Sequence, residues 1–165
     1  MTLEEALISA LDYEHRVRDH YARAAEHTLD PVANRIFARL AIEEQQHVDY
    51  LMAQLKLWRA EGKIEFIKLT TILPDQQWIE EGWKKLKGVN LKNADSTDEL
   101  DAFERAWELE NEVAEHYQRL VDELDAEGQE MFARFLKMEL LHKSFVEIQI
   151  QALKTQGKMI DLVVM

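Results

Sequence analysis

Two stretches of this chain repeat one another, and the repeat decides most of what the chain can fold into. Glu14-x6-Tyr21 recurs 96 residues later as Glu110-x6-Tyr117, with His20 and His116 immediately before the two tyrosines. Phe37-Ala38-Arg39 recurs 95 residues later as Phe132-Ala133-Arg134, and Glu44-x-x-His47 recurs at the same offset as Glu139-x-x-His142. One residue has been lost between Tyr117 and Phe132, where a turn is shortened. Self-similarity at a fixed period marks a supersecondary unit used twice. Around each motif the apolar residues return every three or four positions, so the unit is helical.

Thr2 followed by Glu5 is a capping-box pattern, and the stripe Leu3, Leu7, Ala10, Leu11, Val17, Tyr21 and Ala24 continues from it. Asp30-Pro31 offers an N-cap and a proline at the first helical position; Gly62 offers a C-terminal stop. A third helix starts around Ser96, Thr97 and Asp98. Ala126-Glu127-Gly128 reads as a tight turn before a fourth, which Gly157 ends. The expected helices are therefore about 3–28, 31–60, 98–125 and 129–155. Residues 61–97 form a long crossover, in which Gln76 to Lys87, between Pro74-Asp75 and Gly88, suits a small helix. With only two prolines and five glycines in 165 residues, an all-α single domain follows. The expected architecture is a four-helix bundle with one long crossover between its second and third helices, and other packings of the same helices remain open. The tail from Met159 to Met165 is apolar apart from Asp161 and should dock on its own bundle or on a partner subunit.

Within this frame four glutamates stand where charges do not belong. Glu14 shares a face with Leu7, Leu11, Val17 and Tyr21, and Glu110 with Phe103, Trp107, Val113 and Tyr117. Glu44 follows Phe37, Leu40 and Ala41; Glu139 follows Phe132, Phe135 and Leu136. Burying one unpaired carboxylate is costly, and four together repel one another as well. Two divalent cations would offset that cost and account for His47 and His142. Heights agree: Glu14 and Glu110 lie 16 residues before their turns at Asp30 and Ala126, while Glu44 and Glu139 lie 14 and 13 after them. At about 1.5 Å per residue each pair meets at one level. The candidate ligands are thus Glu14, Glu44, His47, Glu110, Glu139 and His142. Four carboxylates and two imidazoles are a hard, oxygen-rich set suited to two Fe or Mn ions, with Zn an adventitious occupant. Glu43 shares a face with Ile36, Arg39 and Tyr50 and is expected at the edge. His15, His20 and His27 fall off the Glu14 face and are expected at the surface. The four tryptophans, Trp58, Trp78, Trp83 and Trp107, are expected in packing roles.

Composition removes several classes of function. A net charge of -12 opposes nucleic-acid binding, which requires surplus cations. The absence of cysteine excludes disulfides and thiolate-ligated iron. No run of some 18 apolar residues suggests a membrane span, and the start Met1-Thr2-Leu3-Glu4-Glu5 does not read as a secretory signal, so a soluble cytoplasmic protein is expected.

The six residues and their order resemble the ferritin-like superfamily, and within it the rubrerythrin-like and bacterioferritin-like di-iron proteins. The resemblance covers roughly residues 3–60 and 97–156. It implies that Glu44 and Glu139 bridge two metals, with Glu14, His47, Glu110 and His142 as terminal ligands. It also implies that Tyr21 and Tyr117 hydrogen-bond ligating carboxylates across the bundle. It carries with it an external electron donor and a homodimer. The chain departs from rubrerythrins in lacking a cysteine-ligated domain, and in having Val113, with its repeat mate Val17, where an extra glutamate is usual. That puts peroxidase activity in doubt without touching the ligand set. The activity implied is reaction of Fe(II) with O2 or H2O2, as an oxidoreductase of peroxidase or ferroxidase type. Iron storage, or a metal-stabilised scaffold without turnover, are the alternatives.

Overall fold

The computed structural model describes residues 1–86 and 97–161, and within them the chain is helical without strands. Five helices follow in order: α1 (Leu3–His27), α2 (Pro31–Glu61), α3 (Gln76–Leu86), α4 (Asp98–Glu123) and α5 (Ala126–Gln156). α1 lies along α2, α4 lies along α5, and α1 joins the two pairs through α4. The ends are chemically specified. Glu5 N–H donates to Thr2 Oγ1 at 3.1 Å while Thr2 N–H donates to Glu5 Oε2 at 2.8 Å, closing the capping box. Asp30 accepts from the amides of Val32 and Ala33, and Thr97 from that of Leu100. Gly62 and Gly157 end α2 and α5 with φ of 64° and 71°, conformations that suit a residue without a Cβ.

The turn before α5 differs from expectation. The helix begins at Ala126 rather than after Gly128, and Ala126 takes a φ of 29° as the chain reverses. Gly128 is buried in the helix, where an added Cβ would come 3.2 Å from Leu3 and 3.3 Å from Leu124. It serves close packing, which a sequence pattern cannot distinguish from a turn glycine.

Between α2 and α4, α3 packs on α5. Gly82 makes this approach possible, since a Cβ there would meet Ile148 Cδ1 at 2.3 Å. Lys87, Gly88 and Ser96, expected to bound α3 and α4, lie outside the described residues, as do the last four residues of the tail. The described part of the tail docks on its own chain. The Gln149 amide exchanges hydrogen bonds of 2.9 and 2.8 Å with the Ile160 backbone, and Arg35 pairs with Asp161 at 2.8 Å. The four tryptophans pack, half-buried, against the core, and Trp107 donates from Nε1 to Glu147. No helix among the described residues is long and apolar enough to cross a membrane.

Candidate metal centre

The matched heights of the repeats place six side chains in one buried layer, supplied by α1, α2, α4 and α5. Glu14, Glu44, Glu110, Glu139 and His142 have no exposed surface, and His47 has 2%. Their ligating atoms fall into two groups, each within 4.8 Å, that could hold a metal ion. One is Glu14, Glu44, His47 and Glu139; the other is Glu44, Glu110, Glu139 and His142. Glu44 and Glu139 belong to both.

Each shared carboxylate turns one oxygen toward each histidine. Glu44 Oε2 is 3.3 Å from His47 Nδ1, and its Oε1 is 2.8 Å from His142 Nδ1. Glu139 Oε1 is 3.1 Å from His47 Nδ1, and its Oε2 is 3.7 Å from His142 Nδ1. Glu14 and Glu110 stand outside this pair, 3.6 and 3.8 Å from His47 and His142 respectively. The two imidazoles lie parallel, with centroids 5.3 Å apart and planes 9° apart.

Tyrosines from the opposite half anchor the outer carboxylates. Tyr21 donates to Glu110 Oε1 at 2.8 Å, and Tyr117 donates to Glu14 Oε1 at 2.6 Å. Both phenols have pKa values well above the ordinary 10, chiefly from burial and then from the facing carboxylate, so they remain donors.

The electrostatics separate the middle of the cluster from its flanks. Burial pushes Glu44 up to about 8, helped by the charges of Glu14 and Glu110. Glu139 is raised well above the carboxylate range, again by burial first and then by Glu14 and Glu44. Burial also opposes ionisation of Glu14, but the adjacent Glu44 carboxyl and the His47 charge outweigh it and hold Glu14 low. Burial would lower both histidines. The neighbouring carboxylates reverse that, raising His47 well above its usual range and His142 to about 10. Without metal, then, protons on the central carboxylates and the imidazoles neutralise the layer.

The donor set could hold a metal ion in either group. Glu14 Oε2, Glu44 Oε2, Glu110 Oε2, both Glu139 oxygens and both His47 nitrogens are buried without a hydrogen bond. Buried polar atoms are normally satisfied, so a concentration of exceptions at one point calls for an ion or ligand. No family model, curated protein or solved structure matches this chain. The reading of the centre therefore rests on this geometry.

Two sequence expectations need correction. Glu43 is not at the edge: it is 1% exposed, and its Oε1 lies 3.2 Å from His142 Nε2. The segment after α2 folds back over this side of the helix. Tyr50 Oη contacts Glu65 O and Ile67 N, and Glu65 N–H donates to the buried Gln54. That cover widens the buried face of α2 beyond the stripe set by Glu44. The presence of Leu40 and His47 at −3 and +4 from Glu43 was the available signal. The histidines also differ from expectation: His27 is exposed, but His15 and His20 are half-buried, and His20 Nε2 bonds Ala102 O at 2.9 Å.

A cavity of about 200 Å³ lined by Gln46, Tyr50, Lys68, Leu69 and Thr70 reaches His47 from the surface. A larger one, of about 1130 Å³, lies between residues 66–76 and α5.

Proposed function

We propose that this chain is a ferritin-like di-iron carboxylate protein that reacts with O2 or H2O2, as a ferroxidase or an oxidoreductase supplied by an external electron donor. On this reading the four long helices are a ferritin-like bundle, residues 62–97 are its crossover, and two chains associate as a homodimer. One observation carries the proposal: Glu44 and Glu139 each present one oxygen to either half of a fully buried, two-part ligand set. A structural ion pair would leave one positive group for each carboxylate and few orphaned atoms. This layer instead has more acceptors than its two imidazoles can serve.

Bound in this layer, a pair of Fe ions supplies the electrons that O2 or H2O2 accepts. The chain's own work is to place and insulate. Glu44 and Glu139 span the two positions, while Glu14 with His47 and Glu110 with His142 close them. Tyr21 and Tyr117 fix one oxygen of each outer carboxylate and so leave the other directed into the layer. Phe135 stands edge-on to His47 at 5.6 Å, and Tyr117 packs on Phe132 and Phe135, keeping bulk water from this side. The cavity of about 200 Å³ at His47 is wide enough for O2 or H2O2. Val17 and Val113, both buried, add no further carboxylate to the layer.

Anaerobic loading with Fe(II), followed by metal analysis and separate stopped-flow mixing with O2 and H2O2, tests the proposal. The expected result is about two Fe per chain, as six convergent hard ligands imply, with new absorbance on mixing with either oxidant. Neither oxidant should be preferred by orders of magnitude, since Val17 and Val113 supply no extra carboxylate at those positions. Protein that stays unloaded in excess Fe(II) would overturn the proposal. Loaded protein inert to both oxidants would reduce it to a metal-stabilised scaffold.

A further inference from the structure

The two metal positions have nearly the same ligands but unequal surroundings. His142 is held from both sides. Its Nδ1 faces Glu44 Oε1 at 2.8 Å, and its Nε2 faces Glu43 Oε1 at 3.2 Å. Glu43 is itself buried, and its other oxygen has no hydrogen bond. His47 has no such support. Its Nε2 is buried with no hydrogen bond, and the cavity of about 200 Å³ reaches its ring. The repeat makes the contrast plain in the sequence too. Glu43 precedes Glu44, whereas the residue preceding Glu139 is Met138, which carries neither charge nor a strong acceptor.

A carboxylate behind a metal-binding imidazole does two things. It accepts the N–H of the far nitrogen, which fixes the tautomer, and it holds the ring in place, which lowers the cost of ordering it on binding. Resting on the metal-centre reading above, we propose that Glu43 is a positioning residue for His142. Through it, the position formed by Glu44, Glu110, Glu139 and His142 retains a divalent cation more tightly than the position formed by Glu14, Glu44, Glu139 and His47. The His142 position is the resident one, and the His47 position, next to the cavity, is the exchangeable one.

Co(II) titration of the full chain, followed by calorimetry and visible absorbance, tests this without any turnover. Wild-type protein should bind in two resolved phases. His47→Ala should abolish the weaker phase and leave the tighter one. Glu43→Ala should weaken the tighter phase about 10- to 100-fold and leave the weaker one within a few-fold. Glu43→Gln, whose amide oxygen still accepts the Nε2–H, should recover part of that loss. In the NMR spectrum of the Co(II)-loaded protein, the shifted His142 Nε2–H signal should persist in wild type and exchange away in Glu43→Ala. A merely structural defect would not single out that proton. Circular dichroism of the chelated variants shows whether they fold, and the proton signal and the Gln rescue read the proposal independently of any fall in stability. Equal phases in wild type, or equal weakening of both phases by Glu43→Ala, would overturn the inference while leaving the metal centre standing. Failure of wild-type protein to take up Co(II) or Fe(II) would remove the metal centre itself.

Discussion

The α1–α2 half and the α4–α5 half agree in the ligand layer and diverge away from it. Within the layer the correspondence is reciprocal: Tyr21 reaches Glu110 while Tyr117 reaches Glu14, and Glu44 and Glu139 each face both histidines. One residue away it already fails, with Glu43 behind His142 and Met138 at the matching place. Farther out, His20 bonds Ala102 O directly, whereas His116 reaches the matching carbonyl of Ala6 only through Ser9. The difference shows where two-fold likeness is physically enforced. Central carboxylates shared by both halves must satisfy both halves at once, whereas residues that serve one half are free to drift.

The largest test breaks both halves together. Glu44→Ala with Glu139→Ala removes two of the four ligands from each group, so metal analysis after Fe(II) loading should fall from about two ions per chain to none. Glu14→Ala or Glu110→Ala alone should weaken one position and spare the other. A double variant that still bound both ions would show that the shared carboxylates are not what joins the halves.

Chelation comes next in size. Ions held only by the folded state stabilise it by about 2.7 kcal/mol for each site at a hundredfold excess over its dissociation constant. For a chain of this length that is roughly 5–10 °C in melting temperature. Thermal melts with and without Fe(II) check it, and coincident curves at saturating metal would contradict it.

The same comparison predicts an unusual pH response for the chelated protein. Glu44 rises from 4.5 to about 8, so its contribution is complete below about 4.5 and is lost as pH climbs through 8. His142 rises from 6.5 to about 10, so its contribution is complete below 6.5 and is lost as pH climbs through 10. Glu14, held low, works in the opposite sense, stabilising above 4.5 and ceasing to do so under strong acid. The metal-free melting temperature should therefore decline from about pH 4.5 to pH 10. Glu44→Gln should remove the decline between about 4.5 and 8 and shrink the His142 portion, because the Glu44 charge is the first thing that raises His142 against burial.

Much of this fold and layer is legible in the sequence, and what is not depends on distant contacts. The caps at Thr2, Asp30, Gly62, Thr97 and Gly157 act locally, so their side chains announced the helix ends. The all-helical class followed from the apolar period, and the six layer residues stood out because charge interrupted that period. What escaped notice depends on contacts between distant segments. Glu43 looked marginal because the cover over it comes from residues 64–73, which carry no periodic signal. Gly128 looked like a turn because its tight contact with Leu3 spans most of the chain. His20 looked exposed because its partner, the Ala102 carbonyl, is a backbone group that no side-chain pattern reports.

The tyrosine pair gives a sharper measure of how alike the halves are. Tyr21→Phe and Tyr117→Phe each remove a buried hydrogen bond to a carboxylate, a change worth about 1.5–3 kcal/mol. The Tyr117 bond, at 2.6 Å against 2.8 Å, ends on the carboxylate that is held low, so Tyr117→Phe should be the costlier in urea unfolding of the chelated protein. Equal costs would mean that the shorter bond to Glu14 is no stronger than its counterpart.

The smallest expected effect concerns the outer histidines, where the halves differ by one hydroxyl. Ser9 Oγ lies 2.9 Å from Ala6 O, an acceptor only, so its single hydrogen is committed there. His116 Nε2, 2.8 Å from the same oxygen, must then be the donor to it. Arg119, 3.4 Å from Nδ1, fits the same neutral tautomer, and burial followed by the Arg119 charge lowers the His116 pKa. His116 also stacks on Tyr13 with centroids 4.4 Å apart, so its ring cannot swing out to water without losing that contact. Ser9→Ala therefore leaves the Nε2–H facing a methyl group and should cost about 1 kcal/mol. It should also depress the His116 pKa further, because the imidazolium loses an acceptor, and NMR titration of the ring protons reads that shift. Metal stoichiometry should not change, since the hydrogen bonds of Ser9 run to Ala6 and His116, outside the layer. A Ser9→Ala protein that lost a metal ion would show that the outer histidine reaches the centre through Tyr117, and that the halves are coupled well beyond the carboxylates they share.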